Sequence, residues 1–153
     1  MLGYLKGDGN FKYSYNENQT LTGYSDSWGT PTSSDTTVPT TYTGPMNIVY
    51  FNMQGTQTLK LAGDSHGAGI LLVEGNLEID GGFTWYGVIL ATGAVVYTGS
   101  GQKNVTGGIM AGENAAIEID INENTGIIYC SAVSNKLKDI VPPLKITRWR
   151  EIF

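Results

Sequence analysis

"GAGILLVEGNLEIDGG", residues 67 to 82, sets six large aliphatic side chains between clusters of glycine, with a turn-forming Glu-Gly-Asn at its centre. Two readings compete: a glycine-rich phosphate loop, or one turn of something repeated. A dinucleotide fingerprint needs its glycines between a strand and a helix. Here Gly67 and Gly69 precede a strand-like run and no helical pattern follows, so the stretch reads as a repeat.

The rest of the chain carries the same signal. Five short apolar runs recur: "NIVYF" from Asn47, "GILLV" from Gly69, "GVILA" from Gly87, "GIMAG" from Gly108 and "GIIYC" from Gly126. Aligned on their first residues, they put Ile48, Ile70, Val88, Ile109 and Ile127 in one column, with Val88 between Ile70 and Ile109. Each of the first four is followed by an alternating run: Leu59 to Leu61, Leu77 to Ile79, Val95 to Tyr97 and Ile117 to Ile119. Two strands per repeat of about 20 residues, with glycine corners, describe one coil of a β-solenoid, whose equivalent residues stack at about 4.8 Å. The expected fold is all-β: a short single-stranded β-solenoid of four to five coils with a C-terminal capping helix and a final strand. A rival reading makes "LLVEGNLEI" and "ILATGAVVY" β-hairpins; the pattern alone leaves it open.

The repeats occupy residues 46–130. Residues 1–45 read as a polar Thr/Tyr/Gly-rich extension or loop, with nine threonines from Thr20 to Thr43 and "TPTSSDTTVPTTYTGP" unable to form a core. Within them Phe11, Tyr13 and Tyr15 alternate with polar residues, as in a half-buried strand or an edge hairpin. Residues 131–153 read as a short helix plus a terminal strand. Strands such as Ile70 to Val73, apolar on both faces, need cover on the outer side. "SAVSNKLKDIV" supplies it: Val133, Leu137 and Ile140 fall at helical spacing, with Ser131 as cap and Pro142 and Pro143 as stop, so a helix from about Ala132 to Ile140 should lie on that sheet. The closing "LKITRWREI" alternates as a strand does.

Charged residues are 15% of the chain and the net charge is -5. Residues 61 to 130 hold eight acids and only Lys103; so acidic a body repels phosphate backbones, which argues against nucleic acid as a partner. Cys130 is the only cysteine, so no intrachain disulfide forms. No stretch reaches the ~20 apolar residues of a membrane helix, and "MLGYLKGDGN" lacks the apolar core of a signal peptide. The chain is expected to be either intracellular or an excised part of a longer one.

The candidate chemistry is sparse. His66 lies beside Asp64 and Ser65, but neighbours in one tight loop cannot adopt the relay geometry of a triad. One His and one Cys exclude a zinc site of the usual kind. Glu78, Asp80, Glu118 and Asp120 share the outward face of their strands, as a carboxylate pair acting on a polysaccharide would; only Lys60 and Lys103 are nearby to neutralise an acidic sugar. No enzyme and no cofactor are expected. Asp120, Asn122 and Asn124 in "DINENTG" resemble half a calcium loop without its terminal bidentate Glu, an incomplete metal candidate. Trp28, Trp85 and Tyr86 are candidates for a sugar- or protein-binding surface, but packing over the solenoid's flank and end is the preferred reading.

"GAGILLVEGNLEIDGGFTWYGVILATGAVV", "VTGGIMAG", "SNKL" and the terminal "RWREI" together resemble the C-terminal domain of PilX-type type IV pilus assembly proteins, over about residues 47 to 153. The resemblance implies a periplasmic or cell-surface domain, attached to the membrane only through an N-terminal pilin-like helix missing from this sequence. It brings no catalytic residues and implies other pilus or secretion-apparatus proteins as partners. The expected function is a non-enzymatic structural, assembly or adhesion module of such an apparatus. A carbohydrate-binding or carbohydrate-active β-helix, with glycans as partners, and a self-assembling bactofilin-like scaffold are the alternatives.

Overall fold

The computed structural model describes residues 6–7, 9–23, 28–32, 42–112, 117–119, 125–138 and 140. Among the described residues eleven strands alternate between two sheets, and every pairing is parallel. One sheet holds β1 (Phe11–Ser14), β3 (Asn47–Asn52), β5 (Ser65–Glu74), β7 (Phe83–Ala91), β9 (Lys103–Met110) and β11 (Thr125–Tyr129), in that order. The other holds β2 (Gln19–Thr22), β4 (Thr58–Ala62), β6 (Asn76–Asp80), β8 (Val95–Thr98) and β10 (Ile117–Ile119). This is the expected β-solenoid. The hairpin reading falls, because β5 and β6 lie in different sheets.

The opening stretch shows why glycine recurs. Asn47, Gly69, Gly87 and Gly107 stack in register, and the three glycines have φ of +117°, +144° and +138°. A Cβ on Gly87 would lie 1.8 Å from the carbonyl oxygen of Gly69, and one on Gly107 equally close to that of Gly87. Each long strand therefore turns a corner where only glycine fits. Gly67 has another reason: the indole of Trp85, one coil on, lies where its Cβ would be, 2.2 Å away. Asn76, in the Glu-Gly-Asn turn, accepts from the backbone N–H of Ala94 on the next coil through Oδ1 at 2.9 Å. Asn10 and Asn18 do the same for Ile48 and Thr58.

Inward residues of both sheets form the core: Val49, Phe51, Leu71, Val73, Ile89, Leu59, Leu61, Leu77, Ile79, Val95 and Val105. The first coil lies inside the segment read from sequence as an extension. β1 pairs with β3 and β2 with β4, so residues 11–22 belong to the solenoid and its boundary moves back from residue 46. Tyr13 stacks on Phe51 at 4.6 Å, and Trp28 sits edge-on to Tyr13, Phe51 and Trp85. Trp28 also holds the chain against β5: Ala68 N–H donates to its carbonyl at 2.8 Å, and His66 Nδ1 donates to the Gly29 carbonyl at 2.7 Å. Residues 28 and 29 thus line the part of β5 that extends past β3.

The outer face of the larger sheet carries Ile48, Ala68, Ile70, Leu72 and Tyr86 in a second core. Helix α1 (Ser131–Leu137) covers it with Val133 and Leu137, and Ile140 packs beside them. The helix begins one residue earlier and ends three earlier than expected. Its N-cap is Cys130, with no side-chain cap bond, so Ser131 is the first helical residue and not the cap. The terminal strand read in residues 144–152 lies outside the described residues.

Candidate functional site

Trp28, Trp85 and Tyr86, candidates for a binding surface, are each 0% exposed. The alternation explains the strand pair: Trp85 points into the solenoid and Tyr86 points out but lies under α1, while Trp28 packs in the core against Tyr13, Phe51 and Trp85. All three pack, as the reading of them as cover for the solenoid's flank and end expected, and none displays its ring. Lys136, which the sequence reading did not single out, fixes the cover by lying over the rings of Tyr42 and Tyr86 at 5.6 and 5.3 Å and donating to the Tyr42 carbonyl. Its signal was available only as a helical position one turn from Val133.

The outward face of the second sheet carries the acids. Lys60, Glu78 and Val96 stack in register, with Glu118 next along the backbone. Lys60 Nζ reaches Glu78 Oε1 at 3.0 Å and Asp80 Oδ2 at 2.8 Å, and Thr98 Oγ1 donates to Glu78 Oε1 at 3.2 Å. Hydrogen bonds first to Asp80 and then to Glu78 raise the Lys60 ammonium above its ordinary pKa. The carboxylates are tied to a cation in place across coils. Lys103, the other base offered for an acidic sugar, is 1% exposed and stacks inward on Phe83, its Nζ donating to the Gly99 carbonyl at 3.0 Å. Asp120, Asn122 and Asn124 lie outside the described residues. Among the described residues no group of three metal-ligating side chains comes together.

A second cluster joins Lys6, Tyr50 and Glu74. Tyr50 OH donates to Glu74 Oε2 at 2.5 Å, and Lys6 Nζ reaches Oε1 at 2.7 Å. The Lys6 bond, then the Tyr50 bond, hold the Glu74 carboxyl below its usual range. Burial, followed by the bond to Glu74 and its charge, pushes the Tyr50 phenol up to about 12. Inside the core, Ser65 Oγ and Tyr97 OH have no partner among the described residues.

What is exposed and apolar lies at one end. The large hydrophobic residues open to solvent among the described residues are Met110 at 62%, Ile127 at 40%, Ile128 at 42% and Tyr129 at 81%. Among the described residues β11 has a strand on one side only, and Ile127 caps the inward ladder on Val105. At the opposite end the inward rings of Phe11 and Tyr13 on β1 and of Tyr15 just after it are half-buried, and Tyr13 and Phe51 meet the edge of Trp28. The sequence held a hint: "GIIYC" is the one apolar run with no alternating partner run after it.

No helix among the described residues is long and apolar enough to cross a membrane. Comparison with family models, with curated proteins and with solved structures gives no match for this chain.

Proposed function

We propose that this chain is a non-enzymatic structural and assembly module of a type IV pilus or related secretion apparatus, working in the periplasm or at the cell surface. The observation that carries the reading is the C-terminal end of the stack, where β11 has no further strand beside it among the described residues and Met110, Ile127, Ile128 and Tyr129 are exposed. An exposed, uncharged edge strand is a template for strand addition, and proteins that need no partner there block it with charge, proline or a covering element. The pilus apparatus enters through the resemblance of residues 47 to 153; the rigid parallel stack behind the edge fits a part that holds a partner in place.

A carbohydrate-active reading draws less support, because Lys103 is spent inside the core and Lys60 is already paired with Glu78 and Asp80. The test is Ile128→Lys in the producing cell. Wild-type protein level with loss of surface filaments or of secretion is the expected result. Unchanged assembly with the variant folded overturns the reading.

A further inference from the structure

We draw no further inference here: the strongest candidate, the cavity of about 360 Å³ between α1 and the segment after Tyr42, lined by Thr43, Gly44, Met46, Lys136 and Ile140, carries nothing, because the Lys136 ammonium is already given to the Tyr42 carbonyl and to the Tyr42 and Tyr86 rings and nothing among the described residues shows what fills the rest.

Discussion

Glycine does two separate jobs in this chain, and single substitutions distinguish them. At Gly87 both the conformation and the space exclude a side chain, since φ is +144° and a Cβ would meet the Gly69 carbonyl. Gly87→Ala should cost about 3 kcal/mol or more, because the backbone stack cannot yield as a flexible side chain can. Gly55 also has positive φ, +78°, but opens onto free space; Gly55→Ala should cost only about 1–2 kcal/mol. Denaturation midpoints of the two variants check the difference. Gly67 is the second kind, excluded from carrying a methyl by the Trp85 ring and not by backbone strain. Trp85→Leu should therefore relieve part of the cost of Gly67→Ala, and the double variant should be less destabilised than the sum of the singles. Strict additivity in urea melts would mean that the indole is not what holds position 67 to glycine.

The elements show how far the sequence pattern reached. In the second sheet, alternation with one buried face fixed the register, and Leu59, Leu77, Val95 and Ile117 stack as their runs align. In the first sheet both faces are covered, so apolar residues at every position leave the register unspecified. The alignment held for Asn47, Gly69 and Gly87 but slipped at the fourth run: Gly107, not Gly108, takes the corner, and Val88 lies between Ile70 and Gly108. The fifth slipped further, Ile127 stacking on Val105 and not on Ile109. The first coil was hidden by its aromatic, lysine-poor surroundings, and the docking edge by looking like one more core strand. Helix α1 was legible because Val133, Leu137 and Ile140 keep helical spacing, whereas Lys136 depends on two distant tyrosines. Lys136→Met should lower stability by about 1–2 kcal/mol by removing its charge from over two rings. Lys138→Met, at an exposed position, should leave the thermal midpoint nearly unchanged. Equal effects from both would remove the cation from the account of how α1 is held.

The join between β3 and β5 is sensitive to pH. Glu74 is held below its ordinary value of 4.5, so its bonds to Lys6 and Tyr50 contribute fully above that pH and are lost as pH falls through the lowered value. Tyr50 behaves in the opposite sense: its contribution is complete below 10 and fades as pH rises through about 12. Glu74→Gln should therefore lose less stability than the wild type between pH 6 and pH 3. Urea melts at the two values check this; parallel losses would place the acid sensitivity elsewhere.

At the scale of the molecule, the coils contact chiefly their neighbours, so the solenoid behaves as a one-dimensional stack whose stability sums over interfaces. β5 and β7 have strands on both sides, the core within and α1 or the Tyr42 segment without. Among the described residues β11 has one neighbouring strand, and its side chains from Ile127 to Tyr129 are exposed. The two ends are unequal because Trp28 fastens the first coils to β5, whereas nothing comparable among the described residues closes over Ile127. Opening should therefore begin at the C-terminal end and travel inward. Native-state hydrogen exchange should find the amides of Leu71, Val73, Ile89 and Leu90 slowest, those of β1 intermediate and those of β11 fastest. Trp28→Ala should remove that asymmetry, bringing β1 exchange up to the rate of β11 while leaving β7 slow. If β1 and β11 already exchange alike in the wild type, Trp28 does not set the direction in which the stack opens.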